Sequence, residues 1–586
     1  MRQWMVAAKK ADFYAIAEKF HVDPVVARII RNREVIGEKN IRIYLGGNLS
    51  DLSDPHQMKD MDRLVEILAQ KIRKQVHIRI IGDYDVDGVT SSHLFLTALR
   101  RVGAKVDVVI PHRIQDGYGL SLHLLQQAKE DGVDTILTCD NGIAAIDEIA
   151  WAKAQKMTVL VTDHHAVPFE EHEGRRTEKK SLADAVVNPH QQDCGYPYKE
   201  LCGAGVAWNV IRVLYENYDM DKREAEDLLD FVAMATVCDV MSLTGENRIL
   251  VKEGLKKIRH TKNIGLQALM QACNVQPENI SAYHFGYVLG PCVNATGRLD
   301  TARHALRLFE TGQEMEAEEI ARDLVDLNQE RKELTLQGVE MAKKLCEEGG
   351  YENDPVLVLF LPDVHESIAG LIAGRIREMY NRPVFVLTRG EEGVKGSGRS
   401  TENYSMYENM CGCAELFTKF GGHPMAAGLS LPEENVEKFR RKINENCPLT
   451  VEEVCPDIHI DMAMPVGYAS TELVHQFALL EPFGKDNPSP LFADRNLSIS
   501  RMWLIGKNRN VLRMSVLSEY GQPVPVIFFG DVETLFAYFT EKFGQEEVEN
   551  ALHGRKNRIL FSMVYTAKID FYQGNENLQL EMKYYC

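Results

Sequence analysis

Ile78-Arg79-Ile80-Ile81-Gly82-Asp83-Tyr84-Asp85-Val86-Asp87-Gly88 is an apolar strand that runs directly into three acids on alternate residues. At an extended strand end, successive side chains point to opposite faces, so Asp83, Asp85 and Asp87 are expected on one side, their charges crowded at the carboxyl edge of a sheet. Such crowding is costly without a cation, and the stretch is a hard-metal site in outline. Taken alone, it is equally compatible with a calcium-style loop or an acidic turn.

Two later strands end in the same way. Thr135-Ile136-Leu137-Thr138-Cys139 leads to Asp140, and Thr158-Val159-Leu160-Val161-Thr162 leads to Asp163-His164-His165. Asp239 closes the apolar run Phe231 to Cys238, which reads as a buried helix or strand. In an open parallel sheet, ligands gather outside the carboxyl ends of the strands, so acids at successive strand ends converge in space. Carboxylates with one or two imidazoles suit manganese or magnesium better than zinc. Two such ions bridged by a carboxylate favour in-line displacement at phosphorus, which makes phosphoester hydrolysis the expected chemistry.

With 586 residues the chain is too long for one core, and three or four domains are expected, about one per 150 residues. A net charge of -18 argues against a protein that coats nucleic acid nonspecifically. Lys71 to Lys74, Arg175 to Lys180 and Lys395 to Arg399 are clusters that can form a local basic channel or simply a solvated face. The 12 cysteines show no CxxC pairing, so they read as free thiols of a reducing compartment. Met1-Arg2-Gln3-Trp4-Met5 lacks the apolar run of a signal peptide, and no stretch is long enough to span a bilayer. A soluble, cytoplasmic protein with no membrane partner is the expectation.

Alternating strand and helix patterns predict a doubly wound α/β catalytic domain over residues 76–312, preceded by an N-terminal extension of that lobe over 1–75. Ile320, Leu324, Leu327, Leu334 and Met341 recur at steps of three, four or seven, which predicts one connecting helix over 313–348, stopped by Gly349-Gly350. A smaller α/β lobe follows over 349–450. Residues 451–586 read as short strands separated by turn residues, a β-barrel of OB-like type suited to single strands.

Asp83-Tyr84-Asp85-Val86-Asp87-Gly88 and Asp163-His164-His165 resemble the DHH phosphoesterase superfamily. Gly203-Ala204-Gly205, Gly290-Pro291 with Asn294-Ala295 and Gly297-Arg298-Leu299, Lys395 to Ser400, and Gly421-Gly422-His423-Pro424 are similar, within it, to the RecJ family of bacterial single-strand-specific exonucleases. The resemblance spans residues of about 80 to 490 and implies a DHH domain, a DHHA1 domain and an OB-like domain. It implies a 5′-to-3′ exonuclease on single-stranded DNA that releases 5′-mononucleotides with Mn²⁺ or Mg²⁺, in DNA repair and recombination. Asp85, Asp87, Asp140, His164 and Asp239 match the metal ligands, with Asp140 as the bridge, while Asp83 and His165 match supporting catalytic positions. One of the two histidines is expected to face the metals and the other the scissile phosphate.

In the same resemblance, Ser397 and Arg399 match positions that hold the 5′-terminal phosphate. Gly421, Gly422 and His423 are expected to present amides and an imidazole to phosphates at the start of a helix. Arg113, Tyr118, Asn294 and Arg298 extend the expected DNA path, Tyr118 by stacking on a base. Cys292 stands where relatives carry arginine, which removes one phosphate contact unless Arg298 compensates. Expected partners are single-stranded DNA, a helicase and a single-strand-binding protein, with the enzyme itself a monomer. The competing readings are a DHH phosphodiesterase of short oligonucleotides or cyclic dinucleotides, and a catalytically silent DHH scaffold of a replication complex.

Overall fold

The computed structural model describes the whole chain except residues 1–2, 114–115, 118, 173–174, 391–392, 455–456, 507–508 and 573. Strands β1 (Ile78–Ile81), β2 (Val106–Val109), β3 (Thr135–Cys139), β4 (Thr158–Thr162) and β5 (Ala185–Val187) form an all-parallel sheet in the order β2-β1-β3-β4-β5. β1 and β3 are buried along their whole length. That is the reason their sequences are continuous apolar runs rather than alternating ones. Because the chain leaves β1 towards one neighbour and returns at the other, the sheet has a topological switch between β1 and β3, and a crevice opens above their carboxyl ends. Helices α1 (Val86–Arg101), α2 (Gly203–Asn217), α3 (Leu229–Cys238) and α4 (Gly290–Leu299) belong to this lobe.

The expected connecting helix is α5 (Glu314–Glu348), with 35 residues in one run. Ala317, Ile320, Ala321 and Leu324 are buried along its first half, and Val339, Ala342 and Cys346 join the core of the next lobe along its second. That lobe contains β6 (Leu357–Phe360), α6 (Glu366–Tyr380), β7 (Val384–Gly390), β8 (Gly393–Arg399), β9 (Lys419–His423) and β10 (Ala426–Leu431). Its sheet order is β9-β10-β8-β7-β6, with only β6 and β7 parallel.

Two expectations are corrected here. The basic cluster Lys395 to Arg399, whose glycines suggest a loop, is part of strand β8, and Gly421 to His423 is not a helix start but an edge strand, β9. The glycines of β8 serve packing: a Cβ on Gly396 would fall 2.3 Å from Leu387 Cδ2, and one on Gly398 2.6 Å from Met406 Sδ. Their alternation places Lys395, Ser397 and Arg399 together on the opposite face of the strand.

A second compact unit gathers Gln3–Asp51, Ser242–Gly245 and Asp457–Cys586. Strands β11 (Phe492–Ile505), β12 (Val511–Leu517), β13 (Pro523–Phe528), β14 (Leu560–Tyr572) and β15 (Asn575–Tyr585) pair in the cycle β11-β12-β13-β15-β14, and β14 returns to β11. The sheet therefore closes on itself, as the barrel reading requires. Two helices between β13 and β14, Val532–Phe543 and Gln545–Leu552, went unread in the sequence. The N-terminal extension divides differently from expectation: Trp4–Val6 pairs with Ile458–Ile460, and Val25, Val26, Ile29 and Ile30 bury one helix face in the barrel core. Only from Leu52 onward does the chain belong with the first unit. The pattern of that helix declares an apolar face but not which core receives it. No helix among the described residues is long and apolar enough to cross a membrane.

Arg33 fastens this segment to the barrel, its guanidinium 2.7 and 3.0 Å from the two oxygens of buried Asp461. Arg33→Ala strands that carboxylate and is expected to cost about 3 kcal/mol. Calorimetry should show the transition of the second unit lowered by roughly 6 °C or more.

Candidate metal and phosphate site

β1 ends at Ile81, so the three acids are not alternate positions of one strand as expected. Asp83 lies in the turn, Asp85 caps α1 by accepting from the Gly88 amide at 3.0 Å, and Asp87 lies in the first helical turn. The turn closes only because position 88 is glycine: a Cβ there would sit 2.5 Å from the Asp83 backbone N and O. Asp87 is held by the amino end of α2, its oxygens accepting from the Gly203 and Ala204 amides at 2.6 and 2.7 Å. Asp140 follows β3 in the left-handed region, at φ 61°. A non-glycine residue is held there only when its surroundings dictate it. Gly203 is part of those surroundings, since a Cβ on it would meet Asp140 Cβ at 2.6 Å. Asp239 caps the carboxyl end of α3.

His164 Nε2 lies 3.1 Å from Asp140 Oδ1, 3.5 Å from Asp239 Oδ2 and 3.6 Å from Asp87 Oδ2. Three overlapping donor sets result, Asp87-His164-Asp239, Asp83-Asp85-Asp140 and Asp140-His164-His165, each with its ligand atoms within 4.8 Å of one another. Asp140 belongs to the second set and touches His164 of the first, which is the placement a bridging carboxylate needs. Asp83 joins the second set directly rather than standing behind it, a role the sequence reading reserved for support.

Burial, then the charges of neighbouring acids, drives Asp83 and Asp140 well above the usual carboxylate range, and Asp85 shifts the same way. Burial lowers His164, so its imidazole is neutral. Its Nε2 and both Asp83 oxygens are buried without a hydrogen-bond partner. Orphaned carboxylate oxygens around a neutral imidazole fit hard divalent ions, Mn²⁺ or Mg²⁺. The neighbouring histidine differs: burial pulls His165 down, but its bond to Asp163 at 2.8 Å and the nearby carboxylates lift it to about 9.

Asp163 is the residue the sequence reading passed over. Its carboxylate accepts from the amides of Ile143, His164 and His165 at 2.7 to 3.0 Å. Burial opposes ionisation there, yet His165 and these amides keep Asp163 below the ordinary range, as a fixed anion that aims the histidine pair. Its place as first member of the Asp-His-His triplet was the available signal.

A cavity of about 400 Å³ is lined by Tyr84, Arg113, Lys395, Ser397, Lys419 and Gly421. Arg113 lies over the Tyr84 ring, 5.0 Å from its centroid. Arg298 donates to the Ser367 carbonyl at 2.6 Å, and Arg399 packs at Gly370, where a Cβ would meet its Nη2 at 2.9 Å. Burial and then the charges of Arg113, Arg331 and Arg399 lower Arg298 to about 9, and burial followed by Arg113 lowers Arg399. Arginines that depress one another, one of them lining the cavity, make an anion site.

Of the remaining expected residues, Asn294 accepts from the Val86 amide at 3.2 Å and so steadies the metal-bearing turn. Tyr118 lies outside the described residues. Gly421 reaches the cavity, while Gly422 and His423 are exposed at the sheet edge. Cys292 is buried, 3.8 Å from Cys273 Sγ and 3.3 Å from Asn328 Nδ2.

A parallel sheet whose strand ends carry this carboxylate and Asp-His-His set, followed by a second α/β lobe with an anion pocket, defines a phosphoesterase of the DHH class. Residues 77–236 match the model of the DHH family, N-terminal domain, residues 353–447 the DHHA1 domain, and residues 460–584 the RecJ OB domain. The chain is 32% identical to the single-stranded-DNA-specific exonuclease RecJ of Haemophilus influenzae over 96% of both chains, and it belongs to the RecJ family. It is also 32% identical to the RecJ of Bacillus subtilis, of whose length it spans 63%. A solved structure of exonuclease RecJ bound to manganese is 31% identical, with TM-score 0.57 over 66% of this chain and 94% of that one. The fold of RecJ in complex with Mn²⁺ from Thermus thermophilus matches all of this chain and 79% of that one, with TM-score 0.81 at 24% identity.

Ionised Asp83, Asp85 and Asp140 destabilise the metal-free fold. The stability linked to their raised pKa values is therefore present below the ordinary carboxylate pKa of about 4 and lost as pH rises through the raised values. Mn²⁺ at about 100 times its Kd should raise the melting point by roughly 3 °C at neutral pH, and by less at pH 5. Asp140→Asn should raise the metal-free melting point and flatten the Mn²⁺ response, both read by scanning calorimetry. Gly203→Ala displaces Asp140 and should lower kcat by about 100-fold, measured on oligonucleotide digestion, with circular dichroism unchanged.

Proposed function

We propose that the chain is a metal-dependent exonuclease that hydrolyses single-stranded DNA from its 5′ end to 5′-mononucleotides. The observation that carries this reading is the pairing of a carboxylate-histidine donor set with a cluster of Arg113, Arg298 and Arg399 in the same unit. The silent-scaffold alternative requires loss of metal acids, and Asp83, Asp85, Asp87, Asp140 and Asp239 are all present. The oligonucleotide or cyclic-dinucleotide alternative is disfavoured by the barrel domain matching the RecJ OB domain.

Asp85, Asp87, Asp140, His164 and Asp239, joined by Asp83, would hold two divalent ions. When bound, these ions supply a water acidified enough to attack at neutral pH and a Lewis-acid clamp on the reacting phosphate. Asp163 fixes His165 so that its ring stands beside the scissile phosphate. Arg113, Arg298, Ser397 and Arg399 bind the 5′-terminal phosphate, and Asn294 keeps the Asp85 turn in register with α4. With the terminal phosphate anchored and the cut made next to it, digestion runs 5′ to 3′.

Residues 76–312, 313–348, 349–450 and 451–586 serve as catalytic domain, connector, phosphate-binding lobe and nucleic-acid-binding barrel. Every donor of the site comes from a single chain, as a monomeric enzyme requires. Duplex ends must be opened before such a site can act, so a helicase and a single-strand-binding protein are the partners its chemistry asks for, in repair and recombination. The 11 free cysteines among the described residues support a cytoplasmic location.

Asp140→Ala should abolish Mn²⁺-dependent hydrolysis while leaving single-strand binding within a few-fold of wild type. Gel-shift and end-labelled digestion read the two separately. Arg399→Ala, or a 5′-hydroxyl in place of the 5′-phosphate, should raise KM roughly tenfold or more through loss of a charge-assisted contact. Equal KM for both strand ends would sink the assignment of polarity to this pocket.

A further inference from the structure

Tyr283 and Tyr287 stand just before α4 and expose 62% and 71% of their surface. Their rings lie on each other, with centroids 5.1 Å and planes 24° apart. Two large rings fixed together in water on a helical support offer a broad apolar surface that other residues of the described chain leave uncovered. The backbone under Tyr287 is a π-helical turn, Phe285–Leu289, a form that concentrates at functional sites.

The segment that carries these rings adjoins the metal site. Cys238 Sγ donates to the Phe285 carbonyl at 3.3 Å, and a Cβ on Gly290 would lie 2.3 Å from the same sulfur. The next residue, Asp239, reaches to 3.5 Å from His164. Further along the same stretch, Asn294 meets the Asp85 turn at Val86, and Arg298 enters the arginine pocket beside Ser367. One continuous segment thus carries, in order, the tyrosine pair, the Asn294 contact to the metal-bearing turn, and Arg298. At about 1.5 Å per residue, Tyr287 and Arg298 are roughly 16 Å apart along it. A strand with its 5′ end among the arginines and its scissile phosphate at the carboxylates continues past Asp239 towards the tyrosines.

We propose that Tyr283 and Tyr287 form a base-stacking platform for the incoming single strand, a few nucleotides 3′ of the scissile phosphate. The proposal rests on the exonuclease reading and adds to it a recognition element for bases. Every nucleobase offers a π face, so the platform takes any sequence. In a duplex those faces are already stacked, so the platform favours single strands over double ones.

The test uses the full-length protein with Mn²⁺ and a 5′-phosphorylated strand of about 20 nucleotides, with 2-aminopurine at successive positions. Y283A/Y287A should raise KM about tenfold or more and abolish the fluorescence quenching at internal positions near the platform. Y283F/Y287F, which keeps the rings and removes only the hydroxyls, should restore both. The platform is overturned if wild type digests the strand and Y283A/Y287A shows the same KM and the same quenching profile. It is equally overturned if Y283F/Y287F behaves like the alanine pair. Wild-type protein that leaves the strand undigested overturns the exonuclease reading itself, and the platform with it.

Discussion

Mutual repulsion among Asp83, Asp85, Asp87, Asp140 and Asp239 around one neutral imidazole is the constraint on which the rest of the catalytic lobe depends. Like charges in a partly dry crevice tend to neutralise or move apart, and the pKa directions of Asp83 and Asp140 record that tendency. The fold resists the second outcome. Asp87 is tied to two amides at the start of α2, Asp140 is trapped at positive φ under Gly203, and Asp85 is locked as the cap of α1. A divalent cation then resolves the repulsion instead of a rearrangement.

Charge is divided sharply inside this unit. The switch point of the parallel sheet gathers acids, while β8 and α4 bring Arg399 and Arg298 close enough to Arg113 for the arginines to depress one another. An acidic site alone would repel a phosphodiester; in the proposed function a cationic pocket anchors one end of the strand. That reading assigns chemistry and directionality to different lobes, joined by α5, whose two halves are buried in two different cores.

Much of this was legible in residue patterns. The apolar runs before Asp83, Asp140 and His164 are continuous because the strands are buried on both faces, so strand and ligand could be read together. The period of Ile320, Leu324 and Leu334 marked α5 almost to its ends. Illegible were features that depend on a distant partner. Asp85 and Asp87 look like alternate strand residues until α1 is seen to begin between them. Gly396 and Gly398 read as a flexible loop, whereas Leu387 and Met406 are what demand them. The apolar face of Pro24–Asn32 named no core, and it is the barrel that receives it.

The sequence by itself determined the chemistry: which acids and histidines end which strands, and hence a hard-metal phosphoesterase of a recognisable kind. Those statements depend on local order along the chain, where period and apolarity act directly. Only the tertiary structure decided that Asp83 and Asp85 share a set with Asp140 while Asp87 shares one with His164 and Asp239. It also placed the Asp163 carboxylate on the His164 and His165 amides and on the His165 ring. Such assignments turn on distances of a few ångströms between residues far apart in the chain, and those distances are set by strand order, by backbone angle at Asp140 and by what glycine allows to approach.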